Sequence, residues 1–334
     1  MPASTDRTGG TDCTDSGQSC QERFHRRWSQ LTDPHVRALA WLIDAPSLLD
    51  PAAPQWVGRI AELAPNASDT ARPWLLALDL APQALHAHIA LHSHARLGRY
   101  AEQLMTFYLQ HLGVLAAHNL QVRDSDKRTL GEFDFLVWRD EVLLHWEFAT
   151  KFYLLQSPPA GAVREERADY FVGPNLADSL GAKMQKIFQR QLSLSDHPAA
   201  QALLPQPVSA AQALVKGWLF YPDGDYPVSP ALGVCGLHCR GFWCGLDALP
   251  DAPAYAVLPR LSWLAPARMA SADTLDRGQL GEALASRFTE DEAMPVLVAL
   301  LRMDDGVALE MSRGFVVPEG WRERAGQRVQ AVLE

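Results

Sequence analysis

Residues 131–151, G-E-F-D-F-L-V-W-R-D-E-V-L-L-H-W-E-F-A-T-K, set lone carboxylates into otherwise apolar stretches. The pattern predicts strands over 132–138 and 142–153, in which alternate side chains share a face. Glu132, Asp134 and Leu136 then lie on one face of the first strand, and His145, Glu147, Ala149 and Lys151 on one face of the second. Phe133, Phe135, Val137, Trp146, Phe148 and Phe152 take the oily faces. Two such strands in register bring Asp134 and Glu147 together. A pair of carboxylates, completed by backbone carbonyl and water oxygens, suits a hard divalent cation such as Mg²⁺. Lys151 lies one same-face step beyond. The competing reading makes 142–153 helical, with Glu147 and Lys151 an i,i+4 surface pair worth a few tenths of a kcal/mol. His145 reads either as a partner of the carboxylates or as a satisfied core histidine.

The flanking segments supply helices. Residues 97–112 carry Leu97, Tyr100, Leu104, Phe107, Tyr108 and Leu112 at helical spacing, with Glu102 among them. Residues 175–192 read as a second helix, with Leu176, Leu180, Met184, Ile187 and Phe188 on one side. Its other sides hold Lys183, Lys186 and Arg190. With Arg164 and Arg167 these make the best candidate phosphate-binding patch, against the plainer reading of a solvated helix face. Residues 157–173 read as a loop over the site, and 215–221 as a further strand.

This arrangement resembles the PD-(D/E)XK nuclease superfamily, whose core runs helix, strand, strand with Asp, strand with (D/E)-x-K, helix. It is most similar to resolvase-type members with G-E-(I/V)-D-(L/I) followed by E-V-K. Here those stretches are Gly131-Glu132-Phe133-Asp134-Phe135 and Glu147-Phe148-Ala149. Two departures stand out. Phe133 replaces the proline, and Ala149 occupies the lysine position, the nearest lysine being Lys151. A two-residue displacement along a strand is roughly 6.6 Å, about the reach of a lysine stem. The resemblance implies an α/β restriction-endonuclease-like core with a mixed central sheet flanked by helices. It also implies Mg²⁺ or Mn²⁺ held by Asp134, Glu147 and the Phe148 carbonyl, with Lys151 orienting water and Glu102 assisting. Residues 33–321 further resemble a bacterial family, the domain of unknown function 1853. The likeness rests on H-V-R-A-L-A-W-L at 35–42, G-R-Y-A-E at 98–102, the 131–154 block and G-P-N-x-x-D-x-L-x-x-K at 173–183. It continues in L-H-C-R-G-F-W at 237–243, W-L-A-P at 263–266 and F-V-V-P-E-G-W at 315–321.

The 334 residues, 48% hydrophobic, suffice for one large or two medium domains. The expected division is a disordered tail over 1–32, a helical cap over 33–91, the nuclease-like core over 92–222 and a β-rich region over 223–334. No apolar run spans a membrane and the opening lacks a signal-peptide core, so the expected location is the cytoplasm. The net charge of −9 argues against a broadly basic surface and leaves only local patches for DNA or RNA. His238 and Arg240 would join such a patch if the β-rich region folds over the site. Five cysteines, an odd number, fit a reducing compartment. Cys235, Cys239 and Cys244 lack C-x₂-C spacing and read as free thiols rather than zinc ligands. The expected function is a metal-dependent nuclease. The alternative is a nuclease-fold protein without catalysis that binds nucleic acid or a protein partner.

Overall fold

The structure, a computed structural model, describes residues 18–90, 96–156, 168–222, 232–289 and 293–333. These residues form a mixed sheet of ten strands: β1 (Leu115–Arg123), β2 (Thr129–Arg139), β3 (Val142–Leu155), β4 (Phe171–Val172), β5 (Val208–Tyr221), β6 (Cys239–Cys244), β7 (Ala254–Val257), β8 (Arg268–Ala270), β9 (Val296–Asp304) and β10 (Val307–Val316). The order is β1-β2-β3-β5-β6-β10-β9-β7, with β4 on β3 and β8 on β10. Pairing is parallel across β3, β5, β6 and β10, and antiparallel on either side. The central strands are buried on both faces, which is why V-K-G-W-L-F-Y in β5 reads as an almost unbroken apolar run. The sheet is continuous from β5 into β6, so the β-rich carboxy-terminal residues extend it.

The helices are α1 (Cys20–Arg27), α2 (Pro34–Asp44), α3 (Ala67–Leu80), α4 (Gln83–Ala90), α5 (Leu97–His111), α6 (Leu180–Lys186), α7 (Pro198–Gln201), α8 (Arg277–Phe288) and α9 (Trp321–Leu333). Among the described residues no helix is long and apolar enough to cross a membrane. The tail expected over 1–32 is helical from Cys20, because Ser19 caps α1 and Phe24, Trp28 and Leu31 have apolar surface to bury. The second helix, expected from 175, begins only at Leu180, where the Ser179 hydroxyl accepts from the Ala182 amide at 3.1 Å. It continues as a π-helical turn, Ile187–Gln191. Most of the expected loop at 157–173 lies outside the described residues. Its end, Phe171–Val172, is a buried strand on β3.

Two local features fix the backbone of the carboxylate strands. Asp140 and Glu141, at φ 48° and 67°, form a two-residue turn between β2 and β3 with both central residues left-handed, matching the twist of the hairpin. On the other side of β3, Gly217 of β5 faces Lys151. A Cβ there would lie 2.0 Å from the Lys151 carbonyl oxygen, so the strands close at this point only on glycine.

Candidate active site

The β2–β3 ladder runs from Arg139↔Val142 to Phe135↔Trp146 and stops. The next pair in that register is Asp134 and Glu147. Here the amide of Phe148, instead of meeting a β2 carbonyl, donates to Asp134 Oδ2 at 2.9 Å. The two carboxyl groups are close enough that each acts on the charge of the other. Strict alternation breaks at the same place: Phe133 packs with Leu136, Leu143 and Leu194 rather than with Phe135 and Val137. Where two strands part, backbone pairing no longer competes for the side chains that point into the gap.

Glu147 is 1% exposed. Its Oε2 accepts from Gln191 Nε2, while Lys183 Nζ donates to Gln191 Oε1 at 3.1 Å. Gln191 therefore links the α6 lysine to the β3 carboxylate. His145 stands 3.9 Å from Glu147 and packs edge-on to Phe133, fully buried, with neither ring nitrogen hydrogen-bonded among the described residues. A cavity of about 800 Å³ opens in front of Asp134. Its walls include Glu102 of α5, Glu132, Ala149, Lys151, Asp178 and Lys183.

Lys151 lines this cavity but is engaged elsewhere. Its Nζ donates to Asp178 Oδ2 at 2.7 Å, and the Tyr153 hydroxyl donates to the same oxygen at 3.1 Å. Asp178 ends a turn from Gly173, whose amide donates to the Asp178 carbonyl at 2.9 Å. The carboxy-terminal helix braces that turn, through Trp321 Nε1 to the Pro174 carbonyl and Arg328 Nε to the Leu176 carbonyl. Lysine charge reaches the carboxylates from α6 instead: Lys183 acts on Glu102, Asp134 and Glu147 together.

Other expected site residues are dispersed. Lys186 and Arg190 are exposed beside α6 and do not line the cavity. Arg164 and Arg167 lie outside the described residues. His238 does not face a phosphate site, because it is buried with Nε2 bonded to the Tyr221 hydroxyl at 2.8 Å and Nδ1 to the Cys235 carbonyl at 2.6 Å. Arg240 sits over the Tyr221 ring, away from the cavity lining. Gln191 and Asp178 carry no signal that composition or periodicity exposes, although Asp178 and Lys183 are both fixed letters of the 173–183 motif.

The family described as domain of unknown function (DUF1853) matches residues 37–317, most of the chain. The chain belongs to the DUF1853 family. No curated protein and no solved structure matches it. The family description assigns no reaction, so the chemistry of this DUF1853 member rests on its residues.

Burial, then mutual charge, holds protons on the acids. Asp134 is pushed up to about 7 by burial and by Glu147, and Glu102 to about 7 by burial and by Asp134. Glu147 reaches about 7 through burial, against the pull of Lys183. Burial also lowers the Lys183 ammonium from its ordinary value, aided by Lys151. Among the described residues no three His, Cys, Asp or Glu side chains gather closely enough to cage a metal ion. The donor set instead fits an open site. Two neighbouring carboxyls, with Glu147 Oε1 lacking a hydrogen-bond partner among the described residues, are donors that a divalent cation keeping its waters takes.

These shifts have a measurable consequence. A carboxyl whose pKa is raised on folding contributes fully below its unfolded value, here near the ordinary 3.8 to 4.5, and loses that contribution as pH rises through about 7. His25, His145 and His238, buried neutral at about 3, 4 and 4, impose the opposite slope below 6.5. The total curve therefore hides both. In metal-free buffer, the stability of Asp134→Asn relative to wild type should rise between pH 4 and pH 7 and then level off, as read from urea midpoints. A difference that stays flat over this window contradicts the raised carboxyls.

Proposed function

We propose that this protein is a metal-dependent nuclease with a PD-(D/E)XK-like core, hydrolysing phosphodiester bonds of DNA or RNA with Mg²⁺ or Mn²⁺. The observation that carries the reading is the Asp134–Glu147 pair, meeting where β2 leaves β3 beside a cavity that also holds Lys183 and Glu102. The succession α5, β1, β2, β3, α6, β5 supports it, since it runs in the order of that superfamily's core. Asp134, Glu147 and the Phe148 carbonyl would hold the ion. When bound, it supplies positive charge at the phosphate and lowers the pKa of a coordinated water.

The chain's own residues do the rest. The Phe148 amide fixes one oxygen of Asp134, leaving the other to turn into the cavity. Gln191 fixes one oxygen of Glu147 and at the same time holds Lys183. Lys183, in place of a lysine at Ala149, steadies the attacking water or the charge growing on the phosphate. Glu102, with a pKa of about 7, is matched to taking up a proton near neutral pH.

The test is calorimetric titration of Mn²⁺ and Mg²⁺, into the millimolar range, on wild type, Asp134→Asn and Glu147→Gln, followed by cleavage assays on single-stranded and duplex oligonucleotides. Binding in the wild type that disappears in both folded variants, together with cleavage that needs the metal, is the expected result. No binding by folded wild type would overturn the catalytic reading. The tie of Lys151 to Asp178 would then favour a non-catalytic protein that uses the same cavity for binding.

A further inference from the structure

We infer that the cavity in front of Asp134 takes a single strand of nucleic acid by its phosphates, along a wall made by Arg96, Arg99 and Arg260. The inference rests on the proposed function for the purpose of the site, but not for the binding itself.

All three arginines line the cavity and are exposed. Among the described residues none of them makes a salt bridge or a side-chain hydrogen bond. Arg96 and Arg99 stand at the start of α5, and the short turn Arg260–Ser262 packs against that helix, so the three belong to one wall although Arg260 is far away in sequence. Arg260 stands 5.5 Å from the centre of the Trp263 ring. That ring is itself held by Nε1 donating to the Leu258 carbonyl at 3.0 Å and by edge contacts to Phe152 and Phe315. A cation on an anchored aromatic face loses less freedom on binding than one on a free stem.

Charge bookkeeping at the cavity favours an anion at this wall. Lys151 is neutralised by Asp178. The lining as a whole sets five cations, Arg96, Arg99, Lys151, Lys183 and Arg260, against four acids, Glu102, Glu132, Asp134 and Asp178. In a chain of net charge −9, three arginines on one wall of one cavity, none of them in a salt bridge among the described residues, are a local reversal of sign. Guanidinium forks bind phosphate oxygens in pairs.

Depth and size select the strand. Asp134 is half-buried, and the cavity of about 800 Å³ that it lines falls in the range that encloses a small ligand. A rigid duplex carries its phosphates on the outside of a wide cylinder and cannot lower one to Asp134. A lone strand can splay its bases and feed its backbone in.

The experiment is fluorescence anisotropy with labelled oligothymidine, its oligouridine equivalent and a blunt duplex, at about 50 mM salt and above, in EDTA so that nothing is cut. Wild type should bind a single strand at least about tenfold more tightly than duplex, with a salt slope near −2 for three phosphate contacts. The two single strands distinguish DNA from RNA. Arg96→Ala/Arg99→Ala/Arg260→Ala, all at exposed positions, should lose most of the affinity and most of the slope while keeping the wild-type melting temperature. Failure of wild type to bind either strand, equal binding of duplex, or unchanged affinity and slope in the triple variant would overturn the inference. Strand binding that Asp134→Asn retains, with no cleavage under any metal, would remove the hydrolytic reading and leave this one standing. Cleavage undiminished in the triple variant would do the reverse.

Discussion

Lys183→Met should slow cleavage by about 100- to 10,000-fold, the range a positioned proton-handling group contributes, whereas Lys151→Met should keep most of the activity. The two lysines line one cavity but stand in different company. Lys151 is satisfied by Asp178, at 2.7 Å, and the Tyr153 hydroxyl shares that oxygen, so a turn braced by α9 holds its ammonium off the carboxylates. Among the described residues Lys183 is hydrogen-bonded to neutral Gln191 alone, and its charge lowers the pKa of Glu102, Asp134 and Glu147 together. Removing it takes away the one cation that acts on all three, leaving Arg99 to act on Glu102, Lys186 on Glu147 and the Phe148 amide on Asp134. The three carboxyls should then hold protons to still higher pH, so the residual activity of Lys183→Met should appear only at a pH above that of the wild-type rise. A merely structural lysine would lower the rate at every pH without moving the profile. Losing the Lys151–Asp178 bridge, partly exposed on both sides, costs about 0–1 kcal/mol. If Lys151→Met is the dead variant and Lys183→Met the live one, the catalytic lysine belongs to the strand, and the Asp178 bridge must open before catalysis.

The difference between those lysines marks where sequence reasoning stops. Strands over 132–138 and 142–153 and a helix over 97–112 are legible because their apolar spacing is local, and the structure extends them by only a few residues or trims one. The meeting of Asp134 and Glu147 follows from the same periodicity once the strands are antiparallel neighbours. The start of α6 is not legible. Residues 173–178 have the composition of a helix entry but are held as a turn, with Leu176 at φ 57°, by Trp321 and Arg328, which come from the far end of the chain. That turn carries Asp178 to Lys151, and it delays the helix so that Lys183 and Gln191 face β3. His238 is held away from the cavity for a related reason. Its motif is chemically suggestive, yet Tyr221 and the Cys235 carbonyl consume both ring nitrogens. Trp243, Tyr255 and Trp321 are core, whereas Trp263 reaches the cavity. Local spacing reports which face a residue lies on, and only long-range packing decides what it meets there.

Glu310→Ala should destabilise the fold by about 3–5 kcal/mol, the usual result of stranding one member of a buried ion pair. Glu310 and Arg313 of β10 are both fully enclosed, their side chains 0% exposed, with Arg313 Nε 2.6 Å from Glu310 Oε1 and Nη2 2.8 Å from Oε2. The arginine also donates to the carbonyls of Trp263 and Ala265 and lies 4.2 Å from the centre of the Trp218 ring. The glutamate accepts from the Ala267 amide at 2.8 Å and from Gln21 at 3.4 Å. One buried pair thus ties β10 to α1, to β5 and to the 263–267 segment whose first residue supports Arg260. The truncation leaves a fully enclosed guanidinium without its counter-charge and the Ala267 amide without its acceptor. Urea unfolding should show the loss as a lower midpoint at unchanged slope. Arg313→Met with Glu310→Leu, which removes both charges together, should recover much of the loss, because burying two well-paired ions gains little over burying apolar groups of similar volume. A Glu310→Ala protein with wild-type stability would mean that the pair is hydrated in solution. The segment beneath Trp263 would then be held by its apolar contacts alone.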